Sequence, residues 1–125
     1  MTFRITVFFS VLITIALIHI VSSEFYLYWK YLWLDVPMHI LGGIAVALGF
    51  SLLPFFRIRL KQCYTTRIWY VSVVFAVGVF WELFEFFAGI SIHEPGFVLD
   101  TTTDLIFDTV GALLGYGLVR VSDRL

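Results

Sequence analysis

Apolar positions along the chain fall into four long blocks, separated by short stretches that are polar or aromatic. A bilayer crossing needs about 20 residues. Four segments meet that length: "ITVFFSVLITIALIHIVS" (residues 5–22), then about 36–56, 68–90 and about 101–121, the last being the least apolar. The pattern predicts an all-α membrane protein: a bundle of four transmembrane helices forming a single polytopic membrane domain over residues 1–125. Between the first two spans lies "EFYLYWKYLWL" (residues 24–34). It is too short to cross, and its aromatic rings suit the headgroup level, so it reads as an interfacial helix or loop. Pro54 and the following "RIRLKQ" end the second span, and "EPG" at 94–96 marks a turn before the fourth. The first block also has the layout of a secretory signal, with Arg4 ahead of it and small residues ending at Ser23. Its apolar region exceeds the usual length of about 7–15 residues, so a retained helix is expected.

Composition explains why the blocks must face lipid. The chain is 61% hydrophobic, 19% aromatic and 14% charged, against roughly 45–50% apolar and about 25% charged for a soluble domain. A soluble core of this size cannot hide so much apolar surface. The net charge of −1 and the lack of a basic patch interleaved with aromatics exclude nucleic acid as a partner. The single cysteine, Cys63, excludes an intramolecular disulfide, a thiolate metal cluster and a CxxC redox motif.

Charge sets the orientation. With the N-terminus inside, one face of the membrane holds Arg4, Arg57, Arg59, Lys61, Arg67, Arg120 and Arg124, and the other holds Lys30 alone, which accounts for all 8 basic residues. The positive-inside rule then predicts that both termini are cytoplasmic. The acids run the other way. Of 9, only Asp123 falls on the basic side; Glu24, Asp35, Glu82, Glu85, Glu94, Asp100, Asp104 and Asp108 lie outside or in the outer halves of the spans, as do His19, His39 and His93. Topology does not require this, because acids contribute little to orientation.

Depth and helical phase sharpen the pattern. At about 1.5 Å per residue, His39 lies about 6 Å below Asp35, Glu85 and Glu82 lie about 8 and 12 Å below the outer end of the third span, and Asp108 lies about 6 Å below Asp104. Spacings of three and four line one side of a helix. The second span has Asp35, His39, Gly42, Val46 and Gly49 in that relation, the third has Gly78, Glu82, Glu85 and Gly89, and the fourth has Asp104, Asp108, Gly111 and Gly115. Small residues mark membrane helix interfaces, so three polar pairs are expected to converge on one pocket.

Five carboxylates sharing a low-dielectric pocket cannot all stay ionised unaided. Either several are protonated or cations sit among them. Carboxylates with imidazole and no thiolate suit one or two divalent ions of Mg, Mn, Fe or Zn, and facing helices carrying such pairs build dimetal sites in bundles. Asp35, His39, Glu82, Glu85, Asp104 and Asp108 are thus the candidate metal ligands. Ordinary structural roles stand beside this. Asp35 ahead of Pro37 reads as an N-cap, and Thr101-x-x-Asp104 as a capping box with Asp100 as another cap. His39 alone reads as an interhelical hydrogen bonder, and Glu82, Glu85 and Asp108 as a structural protonated set. His19 is a lone polar residue of structural kind, His93 and Glu94 meet water in the outer loop, and the GxxxG of "GALLGYG" (111–117) reads as helix packing.

The ordered set D-x-x-x-H, E-x-x-E, D-x-x-x-D-x-x-G over residues 35–111 resembles the YjdF-type family of small bacterial inner-membrane proteins, and more distantly the VanZ-type proteins associated with glycopeptide resistance at the cell envelope. The resemblance maps onto Asp35, His39, Glu82, Glu85, Asp104, Asp108 and Gly111, and implies residence in a bacterial inner membrane. VanZ-like patterns tend to carry amides where this chain has Glu85 and Asp108, which makes this site more acidic.

Three functions are compatible with these residues. The first is a metal-dependent membrane protein, an enzyme whose substrate is a lipid or lipid-linked envelope precursor meeting the site at headgroup level. The second is a proton- or cation-coupled carrier, since intramembrane acids mark ion pathways; the inner halves of the spans, nearly free of ionisable residues, count against it. The third is a non-catalytic structural or regulatory subunit. The packing glycines also allow self-association into a homo-oligomer. No serine elbow, phosphate loop or nucleotide fingerprint assigns an enzyme class.

Overall fold

A computed structural model describes residues 2–58, 60–89 and 96–124. Helix α1 spans Thr2–Glu24, a four-residue α2 spans Leu27–Lys30, α3 spans Asp35–Leu52, α4 spans Arg67–Ala88 and α5 spans Phe97–Ser122. Short 3₁₀ turns at Leu32–Leu34, Leu53–Phe56 and Gln62–Thr65 join them. No strand occurs among the described residues. Among the described residues, four helices are long and apolar enough to cross a membrane, and they correspond to the four blocks expected from the sequence. The expected interfacial segment is short and irregular, with Trp29, Leu32 and Trp33 exposed. Outside the described residues lie Arg59, the final residue Ile90 of the expected third span, and 91–95, with the His93 and Glu94 loop reading and most of the "EPG" turn.

Two boundaries differ for local reasons. The last helix begins at Phe97, four residues before expectation, because Gly96 takes a left-handed conformation (φ 109°) and starts the helix there. The polar "LDTTTD" run is therefore already helical, and the Thr102 and Thr103 hydroxyls donate to carbonyls four residues back. The capping-box reading of Thr101 and Asp104 is displaced by the same fact, and Asp100 lies within the first turn rather than at the cap. Asp35 is likewise not an N-cap, since it has right-handed helical geometry and continues the turn from Leu32. At the far end of α4, Gly89 has φ 72° and its N–H is within reach of the Glu85 and Phe86 carbonyls. It ends the helix by the left-handed route glycine allows, and is not a packing residue.

Helices α3 and α5 form the closest pair. A Cβ on Gly111 would collide with the Ile40 carbonyl and lie 2.9 Å from the Cα of Gly43; one on Gly43 would collide with the Asp108 carbonyl. These two glycines let main chain meet main chain, as small residues do in membrane interfaces. The second span therefore turns a different side inward from the one its sequence suggested. Gly43 and Ala47 face α5, whereas Gly42 has open space beside it and Gly49 meets only the Phe8 ring. Along α4 the buried positions are Tyr70, Val74, Gly78 and Glu82. Helix α4 buries an every-fourth-residue ridge, not an alternating four-three stripe, and α3 buries a broader face of Gly43, Ala45, Ala47, Leu48, Ser51 and Leu52.

The apolar core, Ala47, Leu48, Tyr70, Val74, Ala112 and Val119, fills the half of the bundle away from Asp35. At that end the start of α1 meets the end of α5: the Arg4 guanidinium donates to Ser122 Oγ at 3.2 Å and pairs with Asp123. The start of α1 and the end of α5 thus lie at one end of the bundle, and His39, Asp104 and Glu82 lie toward the other.

Candidate functional site

Three helices bring polar side chains together below the end of the bundle remote from Arg4. From α3, the first residue Asp35 and, one turn deeper, His39 point toward α5. The i, i+4 spacing stacks them on one face. From α5, Asp104 and Asp108 are likewise one turn apart and are buried, at 5% and 7% exposure. Gly43 and Gly111 determine how near these two pairs come, because they remove the side chains that would hold α3 and α5 apart.

The His39 ring is held at both nitrogens. Nδ1 lies 3.2 Å from Asp108 Oδ1, and Nε2 lies 3.6 Å from both Asp35 Oδ2 and Asp104 Oδ1. One oxygen from each of Asp35 and Asp104 and one nitrogen of His39 all fall within 4.8 Å of one another. The arrangement assigns different jobs to the two ring nitrogens. In the tautomer with the proton on Nδ1, that N–H donates to Asp108 and orients the ring, and the Nε2 lone pair faces the gap between two carboxylates. A histidine that ligates a metal nearly always has its second nitrogen bonded in this manner. Two ligand atoms about 2.1 Å from a tetrahedral ion are about 3.4 Å apart, so the two separations of 3.6 Å from His39 Nε2 are near that spacing.

Asp108 is shaped from its other side by α4. Its Oδ2 lies against Gly78, where a Cβ would collide with it, and Leu105 Cδ2 would sit 3.0 Å from that same Cβ. Gly78 thus makes the space Asp108 occupies.

Glu82 belongs to the same helix interface but to a different contact. It is 6% exposed, its Oε2 accepts a 2.8 Å hydrogen bond from Thr101 Oγ1 of α5, and its Oε1 is buried without a hydrogen-bond partner among the described residues. Glu85 is the residue least joined to the others. It lies off the buried ridge of α4, is half-buried, and accepts a 2.9 Å bond from Trp81 Nε1 on its own helix. Of the six candidate residues, then, Asp35, His39, Asp104 and Asp108 share direct contacts. Glu82 packs on α5 beside them, and Glu85 is drawn toward Trp81.

Three participants were not anticipated. Thr101 holds Glu82. It shares a face with Asp104 and Asp108, three and seven residues on, a relation visible in the sequence once the helix is known to start at Phe97. Trp81 holds Glu85. Tyr28, in the interfacial segment, has its hydroxyl 3.3 Å from His19 Nδ1, so His19 is tied to the rim of the bundle and not to the His39 cluster. No sequence signal marked these last two.

A family model described as a predicted membrane protein, DUF2238, matches residues 1–124. The YjdF-type resemblance agrees with it, while the VanZ-type one stays a resemblance. No curated protein and no solved structure matches the chain.

Proposed function

The chain belongs to the DUF2238 family of predicted membrane proteins, and on that premise we propose that it holds a divalent cation between Asp35, His39 and Asp104 and uses it on a lipid or lipid-linked envelope substrate. The observation that carries this reading is the His39 ring: one nitrogen is bonded to a buried carboxylate and the other faces two more carboxylate oxygens at 3.6 Å. Such a donor set, oxygen with one imidazole and no thiolate, favours Mg, Mn, Fe or Zn. A cation there polarises a phosphoryl or carbonyl oxygen, or activates water. Asp108 orients the imidazole and supplies a charge behind it.

Access supports a substrate that arrives from the headgroup layer. The Asp35 side chain is 44% exposed while those of Asp104 and Asp108 are 7% and 10% exposed, so the site is open at the rim and closed below. A carrier would need a second opening. Beneath the site the packed Ala47, Leu48, Val74 and Ala112 offer no ionisable step toward the other end, which favours the one-sided reading.

Orientation follows from the basic residues. Arg4, Arg57, Lys61, Arg67, Arg120 and Arg124 lie at the end opposite the acidic site, which under the positive-inside rule supports the reading that both termini face the cytoplasm and the site faces the outer leaflet. A periplasm-dependent phosphatase fused after residue 124 stays inactive on this topology; an active fusion reverses it.

The deciding experiment is metal analysis of protein purified from cells supplied with Mg, Mn, Fe and Zn in turn, alongside His39→Ala. The expected result is about one equivalent of one ion in the wild type and none in the variant. No stoichiometric ion under any supply sinks the proposal and leaves a structural or regulatory subunit.

A further inference from the structure

A second polar site lies at the other end of the bundle. The ends of α3 and α5, the start of α4 and the N-terminus of α1 enclose a cavity of about 220 Å³. Its polar lining includes Arg4, Arg120, Ser51, Thr65, Tyr70 and Tyr116. The one acid on its wall, Asp123, is paired with Arg4. Arg120 is exposed and has no ion pair among the described residues. Arg57, Lys61, Arg67 and Arg124 lie at the same end of the bundle, so an anion approaching the cavity meets an excess of positive charge.

Two further features face the same space. Tyr70 is only 3% exposed, with its ring packed edge-on against Phe50 and Tyr116, yet its hydroxyl has no hydrogen-bond partner among the described residues. Ser51 differs, since its hydroxyl is already spent on the Leu48 carbonyl. Tyr70 also belongs to the first turn of α4, whose N-cap Thr66 makes no side-chain capping bond. The start of a 22-residue helix carries a partial positive charge that favours an anion.

We propose that this cavity binds a phosphate-bearing anion, with Arg120 supplying the free charge, the Tyr70 hydroxyl a donor on the cavity wall, and Arg4, fixed by Ser122 and Asp123, a rigid wall. The phosphate belongs either to a lipid headgroup or to a free ion, and a volume of about 220 Å³ has room for either. The site is independent of the acidic one and does not require a metal there.

Purified protein is titrated with phosphatidylglycerol and, as a phosphate-free comparator, with diacylglycerol, bound lipid being counted by native mass spectrometry. Inorganic phosphate is titrated separately by calorimetry. Wild type, Tyr70→Phe and Arg120→Gln are compared. Retention of phosphatidylglycerol over diacylglycerol, weakened about tenfold by each substitution, the loss of about one charge-assisted bond, assigns the phosphate to lipid. The same sensitivity seen only with inorganic phosphate assigns it to a free ion. If neither probe binds, or both substitutions leave binding unchanged, the proposal is overturned. Tyr70→Phe keeps the packed ring and Arg120 is exposed, so unchanged melting and metal content separate lost binding from lost folding or from damage to the acidic site.

Discussion

Replacing Asp108 with asparagine tests the division of labour around His39. Asparagine keeps an acceptor oxygen where Oδ1 stands, 3.2 Å from Nδ1, and its amide fits the space beside Gly78. Shape and one hydrogen bond survive; the negative charge does not. If Asp108 acts by orienting the ring and strengthening Nε2 as a donor, metal affinity falls about 10–100-fold, the usual effect of removing such a partner, or about 1.4–2.7 kcal/mol. His39→Ala, which deletes the donor itself, abolishes measurable binding. The effect of Asp108→Asn runs through the imidazole, so it is larger for Zn, which imidazole suits, than for Mg, which prefers oxygen. The assay is competition against a fluorescent chelator, using detergent-solubilised protein stripped with EDTA, with melting of the metal-free proteins as a folding control. An Asp108→Asn protein that binds Zn as tightly as wild type, while His39→Ala does not bind, refutes the reasoning: His39 would then be oriented by something other than Asp108.

Gly78→Ala changes no charge and touches no proposed ligand, yet its Cβ would meet Asp108 Oδ2; the same competition assay should show a loss comparable to that of Asp108→Asn. Gly111→Ala drives a Cβ into the Ile40 carbonyl and Gly43, main chain that cannot step aside, and overpacking of this kind costs about 1–3 kcal/mol; Gly117→Ala, which meets nothing within 4 Å, serves as the neutral control in thermal melts. Thr101→Val removes the only hydrogen bond to buried Glu82 among the described residues and should destabilise by about 1–3 kcal/mol, whereas adding Glu82→Leu to it should recover most of that loss, since two apolar partners leave no orphan.

How far the sequence reaches depends on the scale of the pattern read. Four apolar blocks against a span length set the helices well, because lipid removes every alternative to internal hydrogen bonding. The acidic and histidine pairs were legible for a related reason: such residues within spans are costly and therefore sparse. Phase within each helix was harder. A four-three stripe presumes helices that run nearly parallel, and it selected Gly42, Gly49 and Glu85. In the structure α3 buries a broader face that takes in Gly43 and not Gly42, and the buried every-fourth ridge of α4 passes through Gly78 and Glu82 but misses Glu85. A single residue of phase, 100° of rotation, separates these two readings, and hydropathy is too even around such apolar helices to tell them apart. In α5 the buried Asp104, Asp108, Gly111 and Gly115 match the expected set, because two acids and two glycines define its face without help from hydropathy.

The contact between Gly43 and Gly111 has a consequence for ion choice. Where helices are spaced by long side chains, a rotamer change can widen or narrow the gap between donors. Here the spacing is set by main chain against main chain, and the donors of α3 and α5 project from helices that have no slack between them. Selection between small and large ions depends on how freely a cage can adjust its number of ligands and their reach. A clamp with a fixed jaw cannot relax around a wide, highly coordinated ion such as Ca²⁺. On the proposed cation reading, such a clamp would discriminate by ionic radius, its gauge being the close packing of two backbones and not the reach of long side chains.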